Sequence, residues 1–204
     1  MKKILVIILF LFVFIKSSFA ENLTKDDLLK MSPNQIMVFA NNGDPLAQLW
    51  LGDAIYNGSI PNWNKYSYCK WYYKSAEQNN SEAAFKLYNI IKTGDALSSC
   101  PKIIGIKKPN LDKNYWLLKS ARLNNPDAQL TYFENVKSTD DENDKKIGFM
   151  WLKKAVKSNF PPAITKLAYL HLWGSYVERN IGEAIKLFAR ASKLDIKNDA
   201  PDRE

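Results

Sequence analysis

Histidine is almost missing from this chain of 204 residues, with His171 standing alone. A histidine-based metal cluster is therefore excluded. No nucleophile elbow, phosphate loop, Cys–His pair or HExxH pattern occurs, so nothing points to catalysis, a cofactor or a metal. Long apolar runs are also missing beyond the first, at residues 4–15, whose twelve residues rise about 18 Å as a helix against the roughly 30 Å of a hydrocarbon core. No linker rich in glycine, serine or proline divides the chain. Its lysines are scattered rather than blocked, which suits a solvated surface and argues against nucleic acid.

The short apolar run has the makings of an export signal. Lys2 and Lys3 precede it, and Ser18, Phe19 and Ala20 follow with the small residues of a cleavage site. Residues 1–20 are read as a signal peptide cleaved after Ala20, leaving a periplasmic or secreted protein with no stable membrane anchor. Cleavage removes Lys2, Lys3 and Lys16 and no acid, lowering the formal charge from +8 to +5. The two cysteines, Cys69 and Cys100, then lie in a compartment where disulfides persist, and pairing them is the simplest reading. Two buried thiols are the alternative.

What the chain has is repetition. Trp71-Tyr-Tyr-Lys-Ser-Ala-Glu-Gln-Asn-Asn80 aligns without gaps on Trp116-Leu-Leu-Lys-Ser-Ala-Arg-Leu-Asn-Asn125. Trp151 and Leu187 continue the series at spacings of 35 and 36. Ala47, Ala83, Ala128 and Ala163 form a second series spaced by 36, 45 and 35. Eleven residues after three of them stand Gly58, Gly94 and Gly174, with Thr139 in that place in the third unit. The two phases describe a helix that starts near the alanine, stops at the glycine, and is followed by a second helix carrying the tryptophan. Stacked helical hairpins of this period form an α-solenoid, in which each unit buries its apolar face against its neighbours.

The units are 44–80, 81–125 with an insertion at 95–111, 126–160 and 161–193. Residues 21–43 contain a capping helix over 24–42, because Ala40 stands 36 residues before Ala76 and imitates the second helix of a preceding unit. Residues 194–204 are a polar tail, frayed from about Lys193.

Ala47, Leu51, Gly52 and Gly58, with Trp71, Lys74 and Ala76, resemble the Sel-1-like repeat family, relatives of the tetratricopeptide repeats. Tyr88 and Phe133 stand where that family has its packing glycine, and Ala168 stands there in the fourth unit. The resemblance covers about residues 40–193. It implies an all-α, right-handed solenoid of about four hairpins, whose first helices line the concave face. Counting each repeat alanine as one, positions seven, ten and eleven would face that groove: Asp53, Tyr56 and Asn57; Asn89, Lys92 and Thr93; Glu134, Lys137 and Ser138; Tyr169, Leu172 and Trp173.

Other constellations have plainer readings. Trp71, Trp116 and Trp151 recur at one packing position and are read as core; Trp50 and Trp63 are less predictable, and Trp173 is the tryptophan turned to the groove. His171 falls where the family places a packing tyrosine. The acids at 140–144 lack the glycine of a calcium loop and suit the start of the next helix. Some cysteine-rich members of the family are linked to β-lactam binding, but their cysteine pair in every repeat is missing here, which leaves that enzymatic alternative with little. The reading is a non-catalytic module that binds another exported protein, an envelope protein or a secreted toxin, through its concave face. An immunity protein neutralising a secreted antibacterial toxin is the alternative.

Overall fold

The computed structural model describes residues 23–60, 64, 67–94 and 111–199. Everything described is helical or connecting, with no strand. Ten helices follow in order: α1 (Lys25–Lys30), α2 (Pro33–Asn41), α3 (Pro45–Tyr56), α4 (Tyr68–Glu77), α5 (Ser81–Thr93), α6 (Lys113–Arg122), α7 (Pro126–Val136), α8 (Glu142–Lys157), α9 (Pro161–Trp173) and α10 (Ile181–Asp199). The hairpins α3/α4, α5/α6, α7/α8 and α9/α10 each pack internally, and α4 on α5, α6 on α7 and α8 on α9 join them into a stack.

The joints between units follow from side chains with a defined task. Asn79, Asn124 and Asn159 all adopt left-handed backbone, at φ 65°, 66° and 60°, a conformation asparagine tolerates better than other non-glycine residues. Gly43 takes their place before the first unit, at φ 103°. The next residue caps the following helix: Asp44, Asn80 and Asn125 accept from the backbone N–H of Ala47, Ala83 and Ala128 at 2.7, 3.0 and 2.9 Å. Phe160 makes no such bond, and Pro161 begins α9 instead. The repeat alanines are completely buried.

Further repeat bonds hold hairpin and stack. Ser75 and Ser120, both buried, donate to the carbonyls of Pro45 and Ser81 at the start of their own unit's first helix, at 2.6 and 2.7 Å. Gln48 and Gln129 each donate at 3.0 Å to the preceding unit, to the carbonyls of Ala40 and Ala121. That shared bond gives α2 the role of a preceding second helix. Lys74, Lys119 and Lys154 lie over the rings of Trp71, Trp116 and Trp151 at 5.2, 5.3 and 5.0 Å, so the lysine three residues after each tryptophan shields its ring and adds a cation–π contact. All three tryptophans are buried.

The missing packing glycine is compensated across the hairpin. In the first unit Gly52 of α3 faces Tyr72 of α4, and a Cβ on it would stand 2.6 Å from that ring. In the third unit the ring, Phe133, is on the first helix and the glycine, Gly148, is on the second. A Cβ there would meet the side chain of Val136 and approach the Phe133 backbone to 3.3 Å. Gly148 stands in the column of Tyr68 and Leu152 in that of Tyr72, so the second helix has less bulk where the first has gained a ring, and the helices still meet closely.

Two expectations need correction. The single capping helix over 24–42 is two helices, α1 and α2, because Ser32 and Gln35 form a capping box that starts a new helix at Pro33. The tail does not fray at Lys193, because α10 continues to Asp199. Residues 1–22, 61–63, 65–66, 95–110 and 200–204 lie outside the described residues, and with them the segment read as a signal peptide, Trp63, Cys100 and nearly all of the expected insertion.

Candidate interaction surface

Position seven of the first helix faces the next unit in the first and third units. Asp53 of α3 pairs with Lys86 of α5 at 2.9 Å, and Glu134 of α7 pairs with Lys166 of α9 at 2.6 Å. Lys86 and Lys166 both occupy position four of the following unit, so the two ion pairs are one contact repeated. Between the second and third units the same places hold Asn89 and Thr131, and the joint is carried instead by Asn135, which donates to the Tyr88 hydroxyl at 3.0 Å. Asp53 also accepts from the hydroxyl of Tyr72 at 2.6 Å. Burial, and then that hydrogen bond, hold the Tyr72 phenol far above its ordinary range. Burial also pushes up the Glu134 carboxyl, but hydrogen bonds from Lys137 and Lys166 outweigh it and hold the group below its usual value.

Positions ten and eleven are more open. Tyr56 is 62% exposed and meets the ring of Tyr68 edge-on at 5.1 Å. It rims a recess of about 210 Å³ shared with Tyr72, Lys86, Asn89 and Ile90. Asn57 caps α3 and is exposed. Lys92 lies 5.6 Å over the Tyr88 ring; Thr93, Lys137 and Ser138 are exposed. In the last unit Leu172 is half-buried, while Tyr169 is 46% and Trp173 72% exposed. Tyr169 leans edge-on against Phe188 at 5.1 Å. The surface therefore has an aromatic and amide end around Tyr56, a charged middle committed largely to internal pairs, and an aromatic end at Tyr169 and Trp173.

Sequence reasoning missed Lys86 and Lys166, although both stand three residues after a repeat alanine and so share a column. It also missed Tyr176, whose backbone is left-handed at φ 64°. Its hydroxyl donates at 2.8 Å to the carbonyl of Lys137, and its ring packs against Phe133 and Phe149 at 5.3 and 5.6 Å. The loop after α9 is thereby tied to the third unit. His171 lies with Nδ1 3.3 Å from the Glu178 carbonyl, tying α9 to the same loop. Asp141 caps α8 by accepting from the N–H groups of Asn143 and Asp144, and among the described residues no cluster suited to a metal is present. Trp50 is half-buried, and Cys69 is completely buried in α4.

A family model for the Sel1 repeat matches residues 45–81, 65–89, 139–160 and 161–196. Among curated proteins none matches the chain. Two similar solved structures carry the same fold. One is a protective antigen present in uropathogenic Escherichia coli strains and displaying an SLR fold, at 24% identity and TM-score 0.63, covering 79% of this chain and 33% of that one. The other is a Sel1 repeat protein from Oxalobacter formigenes, at 20% identity and TM-score 0.61, covering 79% of this chain and 44% of that one. This chain thus spans less than half the length of either neighbour, and at these identities the likeness is one of fold.

Proposed function

The chain belongs to the Sel1 repeat family, whose solenoids serve protein–protein interaction, and from that premise we propose that it is a non-catalytic protein that holds another exported protein against the inner face of its first helices. The observation that carries this reading is the outward exposure of Tyr56, Tyr169 and Trp173 on those helices, while the repeating tryptophans are packed away. Exposed aromatic rings supply large contact area at modest rotamer cost and are favoured as binding anchors. Asp53 and Glu134, held in ion pairs with the next unit, set the spacing of the helices and shape the field that a partner meets. Export is supported by the apolar run behind Lys2 and Lys3 and by the small residues ending at Ala20. In that compartment Cys69 and Cys100 form a disulfide that holds the insertion against the solenoid.

The test is affinity capture from periplasmic extract followed by titration of the captured protein. Trp173→Ala and Tyr169→Ala are expected to weaken binding by about 2 kcal/mol each with the thermal transition nearly unchanged. Normal binding by both variants, with loss of binding on substitution in the 95–111 insertion, would refute the inner-face assignment.

A further inference from the structure

Among the described residues, one side of the fourth hairpin is left open. Its second helix, α10, shows solvent a face that earlier second helices bury against the next unit. Three places in the repeat define that face. At the place of Ile185 the third unit has Phe149, whose ring lies 5.6 Å from that of Tyr176 in the fourth unit. At the place of Ala189 the first unit has Tyr73, in edge contact with Trp116 of the second unit at 5.4 Å. At the place of Ser192 stand Ala121 and Val156, whose carbonyls accept from Gln129 and Arg190 of the following units at 3.0 and 3.1 Å. On α10 all three places are open: Ile185 is 63% exposed, and Ala189 and Ser192 are exposed with it. Ile181, one turn earlier, is 49% exposed. Tyr169 borders the face from α9, in the position through which Asp53 and Glu134 reach the next unit.

We propose that this open face is covered by a second copy of the chain, packed α10 against α10 about a two-fold axis. The face continues the interface that already joins each unit to the next, so it has the shape for a helix. What distinguishes it is charge. Two of the three earlier junctions carry an acid at position seven that pairs with a lysine of the following unit, whereas the last has Tyr169. The strip from Ile181 to Ser192 along this face is uncharged. Lys186 on a neighbouring face pairs with Glu183 at 3.6 Å, and Arg190 is turned back onto Val156 and Asn159. Such a face meets its own image without like-charge repulsion, which a charged repeat junction would not. Its sizes also suit a two-fold: isoleucines occupy the first half and Ala189 and Ser192 the second, so antiparallel copies set each pair of isoleucines over the other's small residues. The interface centres on Ile181 and Ile185 and shares only the bordering Tyr169 with the residues assigned above to another protein. Failure of one assignment therefore leaves the other standing.

Light scattering over a dilution series of the purified full chain tests this. Twice the monomer mass is expected at high concentration, falling toward the monomer on dilution. Ile185→Glu is expected to give the monomer mass where the unaltered protein is dimeric, and Ala189→Arg should do the same, each with helical circular dichroism and the thermal transition retained. Lys186→Glu, on the adjacent face, should leave the dimer intact. A protein monomeric at every concentration, or an Ile185→Glu variant as dimeric as the original, would overturn the proposal.

Discussion

The ion pair between Asp53 and Lys86 ought to be measurable as coupling between neighbouring units. At 2.9 Å the gross attraction is about 6 kcal/mol for an effective dielectric constant of roughly 20. Most of that is offset. Each side chain keeps 32% of its surface in solvent, the lysine loses rotamer freedom, and water screens the remainder. A net coupling of about 1 kcal/mol remains, at the upper end for exposed pairs because Asp53 is also fixed by the Tyr72 hydroxyl. A double-mutant cycle with Asp53→Asn and Lys86→Met, read by urea unfolding, isolates it. The coupling should fall by more than half in about 1 M salt, where the Debye length is roughly 3 Å. Glu82, 3.8 Å from the same lysine, remains in every variant and cancels in the cycle. The converse experiment builds a pair where the chain lacks one: Asn89→Asp with Thr131→Lys should add about 0.5 to 1 kcal/mol at the junction of the second and third units. Coupling under about 0.2 kcal/mol, or coupling indifferent to salt, would show that the pair is incidental to the stacking.

Trp116→Ala should cost about 3 to 5 kcal/mol in urea unfolding, since the ring is completely buried against Tyr73 and Tyr115; a loss under about 0.5 kcal/mol would refute the packing. Gly52→Ala should destabilise by about 1 to 3 kcal/mol through overpacking on Tyr72, and a thermal transition equal to that of the original protein would contradict it. Because the Glu134 carboxyl is held below its ordinary value, its contribution is present above the unfolded pKa of about 4.3 and is lost as pH falls through the folded one. Glu134→Gln should therefore flatten the acid limb of a stability profile, and an unaltered limb would count against the bridge to Lys166. Tyr176→Phe should cost about 1 kcal/mol by deleting the bond to the Lys137 carbonyl, visible as faster hydrogen exchange in the loop after α9.

Most of the fold was legible because its determinants are local and recur in columns. The left-handed asparagines, the capping residues after them and the buried alanines each report on a few neighbouring bonds, so an aligned column is enough to identify them. The capping box at Ser32 and Gln35 was equally legible as a motif, but the Ala40 register drew attention to one helix and hid the break. The candidate surface was harder. Asp53 and Glu134 look free when each unit is compared with its own kind, because their partners Lys86 and Lys166 lie in a different column one unit later. Solvent exposure at Tyr56 and Trp173 followed from the register, whereas the role of Tyr176 depends on a loop returning to a preceding unit. No periodicity marks such a return.

Phe133 stands in the column of Gly52, while the columns of Tyr68 and Tyr72 hold Gly148 and Leu152 in the third unit, and this pattern restricts the order in which sequence change could have happened. If the ancestral arrangement was that of the first unit, a ring added to the first helix while the second still held one would have forced the hairpin apart. Shrinking the second-helix residue first leaves a void, costing about 2 to 5 kcal/mol for a large side chain but preserving the backbone. Only then does the first helix have room for Phe133. The third hairpin would thus have passed through a weakened state, and its neighbours must have held it in place meanwhile. Stacking gives a solenoid this capacity: a unit unable to stand alone can drift while the units beside it keep its helices aligned. Grafting Phe133 into the place of Gly52 alone should therefore fail, and moving Gly148 and Leu152 with it should succeed.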